Sequence, residues 1–339
     1  MPAFEKKLTD WLKKHLDLLF VLAVAALGLA LRYPLHSLHA AVPGGQGSVA
    51  AIFADLLPAA AGAWLLHSIG EKQWKCTLAF ALLFLSPAAI FSSAVYGSFE
   101  AVTVGLCIGS FLLLREKKHV PAFVLYALAC MSGFYAWLFL PAFLFCYLYE
   151  ERFSLLLFAL PGAGSLLRVL AENAGFRLRG GYLPEGLAGG KLYVDCASFW
   201  AFLKGNEELL FRRYLPLAWV LPAALVAAWI FLFCRKNRKY DEEDLLLAVF
   251  PLVQLAAYFL PGADSLSAIC ISVPAWILAL IRPQLIPVAL LLDLSGVIPM
   301  AGAIYGAEWM PVSLQAQSWI RAAALAAEVC LCLKRKKKA

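Results

Sequence analysis

Apolar positions in this chain come in long, nearly uncharged runs rather than in strand-like alternation or one-sided helical stripes. Twelve such runs stand out, at 16–31, 49–69, 76–94, 100–114, 120–132, 136–149, 153–171, 215–234, 244–260, 266–281, 284–303 and 318–333. Most approach the roughly 20 residues a helix needs to cross a bilayer core. Several are shorter, and 120–149 reads either as two crossings or as a broken, re-entrant hairpin. The pattern predicts an all-α polytopic membrane protein with about 11–12 transmembrane segments and loops gathered on an outer face. One domain covers 1–339, with an N-terminal helical module at 16–149, an outer loop at 172–214 and C-terminal helices at 215–333.

Composition supports that class. Hydrophobic residues are 63% of 339 positions and charged residues 15%, against about 25% charged in soluble domains. Mean hydropathy is +0.77. The first run follows Lys6, Lys7, Lys13 and Lys14 but ends in Arg32-Tyr33-Pro34 without a small-x-small cleavage signature, so it reads as a retained helix. The dense basic clusters, including Arg115-Glu116-Lys117-Lys118, Arg235-Lys236 and Lys334-Arg335-Lys336-Lys337-Lys338, fall on the side of the two termini. The positive-inside rule therefore predicts a multi-pass plasma-membrane protein with both termini cytoplasmic. These clusters suit membrane lipids with anionic headgroups and, being short and without interleaved aromatics, do not point to nucleic acid. The nine cysteines form no CxxC pair and read as small core residues.

The outer face carries the candidate chemistry. Tyr96-Gly97-Ser98 makes a tight polar turn before Glu100, which is either a helix-start residue favoured by the macrodipole or a carboxylate presented to a membrane substrate. Asp55 lies inside the second run. At that depth a carboxylate costs about 2.5–3.5 kcal/mol on insertion scales, so it needs a partner or a wet cavity. Arg32 is the nearest candidate partner, which leaves open a structural ion pair or a site. His36 and His39 are spaced i, i+3 but have no acid beside them, a poor metal set. Asp293 and Glu328 sit in the last runs with no motif around them and read as helix-packing groups or pocket walls. In the long loop, the Gly-rich middle predicts flexibility and Cys196–Leu203 a short amphipathic helix along the membrane surface. No Walker loop, HExxH or GxSxG occurs, so the corresponding nucleotide and hydrolase chemistries have no support.

Leu85-Ser86-Pro87, Ile90, Ser93, Tyr96-Gly97-Ser98 and Glu100 resemble a segment of the multi-pass GT-C glycosyltransferases, specifically the bacterial proteins related to the second mannosyltransferase of GPI-anchor synthesis. That family has Leu-Ser-Pro-x-x-Ile-x-Asn-Ser-x-x-Trp-Gly-Gln-x-Asp-Ser there. Ile52-Phe53-Ala54-Asp55, Leu138-Phe139-Leu140-Pro141 and Leu192–Trp200 extend the likeness over most of the chain. The resemblance implies a GT-C-like helical bundle and a polyprenyl-phosphate mannose donor entering from the membrane, with no other cofactor; the residues themselves offer no metal site. The acceptor is unknown, and a partner protein is compatible with it. It further implies Glu100 as the base, Asp55 as a supporting acid, and Arg32, Tyr96, Ser98, Tyr135, Arg177 and Asp195 as substrate contacts.

Departures from the family pattern fall at polar positions. The first outer loop, Tyr33–Ser48, has no carboxylate. Ser132-Gly133-Phe134-Tyr135 stands where the family has Thr-Lys-Pro-Gln, and Gly262-Ala263-Asp264-Ser265 where it has His-Glu-Arg-Tyr. Retention of the apolar scaffold with altered polar positions predicts a glycosyltransferase-like protein with reduced or lost activity. The alternatives are a non-catalytic lipid-binding or accessory subunit and a lipid transporter.

Overall fold

A computed structural model describes residues 3–41, 49–149, 154–175, 182–203, 207–234 and 242–333. They form fifteen α-helices: α1 Ala3–Leu35, α2 Val49–Ala54, α3 Leu56–Ser68, α4 Gln73–Phe84, α5 Pro87–Ile90, α6 Glu100–Arg115, α7 His119–Ser132, α8 Leu140–Tyr149, α9 Leu155–Asn173, α10 Glu185–Ala188, α11 Glu207–Cys234, α12 Glu242–Phe259, α13 Ala268–Ile281, α14 Ile286–Tyr305 and α15 Leu314–Leu333. The sole strand-type pairing among the described residues is a parallel bridge between Tyr193 and Ala263.

The helical membrane class holds, and fewer helices than expected have the length and hydropathy of a full crossing. Among the described residues, five helices are long and apolar enough to cross a bilayer, and a sixth appears if α4 and the bent continuation Pro87–Val95 form one span. The shortfall is physical: α6, α7 and α13 have 16, 14 and 14 residues, or about 21–24 Å at 1.5 Å per residue, short of a core about 30 Å thick. All fourteen residues of α13 are buried, so it is an internal helix shielded by its neighbours.

Two expected boundaries move. α11 begins at Glu207 rather than 215 and runs through Pro216 and Pro222, which shortens the outer loop. Within that loop, Cys196–Leu203 contains one 3₁₀ turn, Phe199–Phe202, rather than an amphipathic helix, and it is docked on the bundle. Trp200 is buried and its indole N–H donates to the Phe259 carbonyl at 2.9 Å. The 120–149 region is a hairpin. α7 stops at the extended Gly133, a 3₁₀ turn Phe134–Phe139 follows, and Tyr126 of α7 stacks on Phe143 of α8 with centroids 4.4 Å apart.

Ser86 and Pro87 form the joint between α4 and α5. Pro occupies the first turn of α5, where its missing N–H costs nothing. Ser86 Oγ accepts from the Ala89 N–H and donates to Asp293, which also accepts from Ser272 Oγ at 2.8 Å, Trp276 Nε1 at 3.1 Å and the Ala88 N–H at 3.3 Å. Asp293 thus ties α5, α13 and α14 together with every oxygen supplied with donors, as a buried carboxylate requires.

Candidate functional site

The predicted residues separate into a buried knot and an outer-end cluster. The knot forms where α3 is cut off from α2 at Asp55. Arg32 and Asp55 are both fully buried and pair at 2.6 Å through Nη2, with Nε at 3.0 Å. Ser93 Oγ donates to the same Asp55 oxygen at 2.5 Å. The guanidinium also donates to the Phe84 carbonyl at 2.6 Å and the Gly28 carbonyl at 3.1 Å, and it lies 4.2 Å over the Phe84 ring. A guanidinium has five N–H donors; here the one on Nε, one on Nη1 and both on Nη2 are turned to protein partners rather than to a cavity. One oxygen, Asp55 Oδ1, stays buried without a donor.

The outer-end cluster grows from the turn after α5. Phe91–Val95 is a π-helical turn, and Tyr96 N–H closes it on the Phe91 carbonyl at 3.2 Å. Gly97 then takes φ +64°, a left-handed conformation favoured by glycine. Ser98 Oγ accepts from the Glu100 N–H at 3.1 Å, which starts α6. Ser98 and Glu100 are therefore neighbours by local turn chemistry, as the sequence implied.

Glu100 is half-buried, and its carboxylate reaches toward the break between α7 and the following 3₁₀ turn. A Cβ added at Gly133 would lie 2.9 Å from Oε2, 3.1 Å from Oε1 and 2.8 Å from Thr103 Oγ1. Thr103 and Ser132 share a 2.8 Å hydrogen bond beside it. Oε2 is enclosed and receives no hydrogen bond. Next to this carboxylate, Tyr135 donates to Asp264 Oδ1 at 2.5 Å.

Asp264 was not among the predicted site residues, yet it organises this end of the bundle. It accepts from the Leu266 N–H at 3.0 Å, starting the turn that leads into α13, and its other oxygen accepts from the Glu185 N–H at 3.3 Å. Burial pushes its carboxyl above the ordinary carboxylate value, opposed by these donors. Its position just before an apolar helix was a readable helix-start signal. The outer loop docks around it through backbone bonds: Val194 N–H to Ala263 O at 2.8 Å and Gly262 N–H to Leu192 O at 2.7 Å.

Tyr96 approaches Met300 O at 3.4 Å and lies within the electrostatic reach of Asp195, Asp264 and Glu185; burial pushes its hydroxyl up to about 12. Asp195 is exposed and takes φ +43°, a conformation Asp tolerates better than most residues. Glu185 is also raised, first by burial and then by Asp264 and Asp195. The structure thus brings together Glu100, Tyr96, Ser98, Tyr135 and Asp195, with Asp264 and Glu185 added. Arg177 lies outside the described residues. His36 Nδ1 sits 3.3 Å from the Ala94 carbonyl, and the His39 side chain is outside the described set.

Two of the recesses among the described residues are notable for their lining, and Glu100 is in neither. One, of about 310 Å³, opens at the outer loop between Lys191, Tyr193, Trp200, Glu207 and Gln315. The other, of about 380 Å³, runs between α11, α12 and α15 and is lined by Leu225, Ala228, Trp229, Leu255, Tyr258, Phe259, Ala322, Leu325, Ala326 and Val329. Its lining is apolar apart from the Tyr258 hydroxyl, which donates to Ser318 O at 3.1 Å, and the Trp229 N–H, which donates to Ala248 O at 2.7 Å. No protein-family model matches the chain, and no curated protein sequence matches it.

Proposed function

We propose that this protein is a lipid-binding membrane protein on a GT-C-like scaffold, holding a polyprenyl-type lipid without transferring its sugar. The observation that carries the reading is the Arg32–Asp55 pair. These are the cation and supporting acid that the resemblance assigns to chemistry, and they are buried against each other at 2.6 Å. Gly133 adds to it. Where the resembled family has a lysine suited to a phosphate, this chain has no side chain, and Glu100 occupies the neighbouring space. The acids Glu185, Asp195 and Asp264 around Tyr96 make this outer end unfavourable for a departing lipid phosphate.

The apolar recess between α11, α12 and α15 is the lipid's place. Its volume falls within the about 300–1,000 Å³ of small-ligand pockets, and its two polar lining groups are already satisfied by protein. In this reading the protein lies in the plasma membrane with both termini cytoplasmic, and the outer loop faces the extracytoplasmic side. The rival reading, a polyprenyl-phosphate-dependent mannosyltransferase, has one observation in its favour: Glu100 Oε2 has no hydrogen-bond partner, as a base awaiting an acceptor hydroxyl would.

One experiment separates them. Purified full-length protein in lipid nanodiscs is offered radiolabelled polyprenyl-phosphate mannose, and bound lipid and transferred sugar are counted for wild type and Glu100→Gln. Saturable binding with no transfer in either protein is expected. Transfer by the wild type that Glu100→Gln abolishes would establish the enzyme instead.

A further inference from the structure

α15 turns a polar face into the bundle. Gln317, Arg321, Ala324 and Glu328 recur along it at spacings of four, three and four residues, and each is between 1% and 3% exposed. On the outer part of this face the donors are supplied, while Gln317 Oε1 accepts nothing. Arg321 Nε donates to Ser295 Oγ at 2.9 Å and Nη1 to the Ala197 carbonyl at 3.0 Å. Gln317 Nε2 donates to the Val312 carbonyl at 2.7 Å.

Glu328 is not supplied. Neither of its carboxyl oxygens receives a hydrogen bond, and no ion pair to it occurs among the described residues. Its neighbour on α12 is Gln254, fully buried, whose amide N–H donates to the Ile271 carbonyl at 3.1 Å while Oε1 accepts nothing. Three buried acceptor oxygens on these two side chains are therefore left without a donor. An ionised carboxylate in that position lacks both solvent and counter-charge, the costliest state a buried acid can take. A proton on the carboxyl removes the charge and provides the missing donor.

The surrounding charges do not offer another remedy. On α15, Arg321 lies two turns away and bonds to Ser295 and Ala197, and Cys332 lies one turn on. Arg282, before α14, donates to the Leu331 and Cys332 carbonyls and pairs with Asp244 of α12 at 3.5 Å. On α14, Asp293 is held by Ser86, Ser272 and Trp276. On α12, the Tyr258 hydroxyl donates to Ser318 O.

We infer that Glu328 and Gln254 form a proton-binding site in the membrane interior, with the carboxyl held neutral and hydrogen-bonded to the amide. The site lies on a different face of α15 from the apolar recess and is independent of what that recess holds.

Infrared spectroscopy of the full-length protein in nanodiscs tests it. The wild type should carry a protonated-carboxyl C=O band at neutral pH, well above the ordinary Glu value of about 4.3, and Glu328→Gln should lack that band in the difference spectrum. Gln254→Leu should keep the band and move it to higher frequency, because the acceptor is gone. That second variant decides the matter if Glu328→Gln does not fold. A difference spectrum without the band, an unmoved band in Gln254→Leu, or a band that vanishes when sodium chloride replaces choline chloride would overturn the inference, the last by identifying an alkali cation as the occupant.

Discussion

The carboxylate of Glu100 fills the space that a side chain at Gly133 would take, with Oε2 only 2.9 Å from the position of a Cβ there. Gly133 has φ −164°, an extended conformation open to any residue, so its requirement for glycine is steric alone. Gly133→Ala should destabilise by about 1–3 kcal/mol, the usual range for overpacking. In a Glu100→Ala background the loss should shrink, since only Thr103 remains to be displaced. Thermal unfolding of the four proteins in detergent gives the coupling as a double-mutant cycle. Equal losses in both backgrounds would assign the clash to Thr103.

The Arg32–Asp55 pair makes a different demand. Removing one partner from a buried pair leaves an uncompensated charge and costs about 3–5 kcal/mol, whereas replacing both with apolar residues is often neutral. Arg32→Met alone should therefore be severely destabilising, and Arg32→Met combined with Asp55→Leu should recover most of the loss. Chemical denaturation in detergent measures both. A double variant as unstable as the single would mean that the Phe84 carbonyl and Ser93, not the charge pair, set the cost.

These two sites differ in how far the sequence disclosed them. The Arg32–Asp55 partnership was legible because a carboxylate inside an apolar run must find a counter-charge, and Arg32 was nearest at hand. The joint at Ser86-Pro87 was missed, since the apolar run 76–94 passes through it, although proline's preference for a first helical turn was the available signal. The proximity of Glu100 to Asp264 was not legible, because it depends on how α6, α7 and the loop before α13 pack. The docking of the outer loop left little trace either: Val194, Ala263, Gly262 and Leu192 meet through backbone groups, and only Gly262, with φ +71° and Leu187 packed against it, needs its own residue type. α11 starts well before its apolar run because charged first turns with Glu207, Glu208, Arg212 and Arg213, and the prolines that follow, are compatible with a membrane helix. The polar face of α15 was not read from the sequence, where Glu328 shows no motif around it; it emerges only when Gln317, Arg321 and Glu328 are placed on one buried helix face.

Asp264 gives a pH dependence with a definite sign. Its folded-state value is raised above the ordinary 3.8 by burial, so the folded protein binds this proton more tightly than the unfolded chain does. Its contribution to stability is therefore greatest at low pH and is lost as pH rises from the ordinary value through the raised one. Glu185, raised for similar reasons, acts in the same direction. Amide hydrogen exchange over 182–203 should accordingly be slower at mildly acidic pH than at neutral pH after correction for intrinsic rates, and Asp264→Asn should flatten the difference. Protection that grows with pH instead would show that the docking of this loop is governed by another group.

The apolar recess offers the sharpest test of lipid binding, because its lining includes small residues that can be enlarged without disturbing the core. Ala326 is exposed on α15 and Ala228 on α11, both within the recess. A tryptophan at either position would fill space available to a lipid chain while packing against Leu325, Val329 or Leu225. Ala326→Trp and Ala228→Trp should each weaken polyprenyl-lipid binding by at least about tenfold, a change of about 1.4 kcal/mol, with little change in thermal stability. Ala159→Trp, at an exposed position on α9 away from the recess, is the control and should bind as the wild type does. Native mass spectrometry of the protein released from nanodiscs counts bound lipid directly. If all three variants retain lipid equally, the chain sits elsewhere on the bundle; if all three lose it equally, the effect belongs to the bilayer-facing surface and not to this recess.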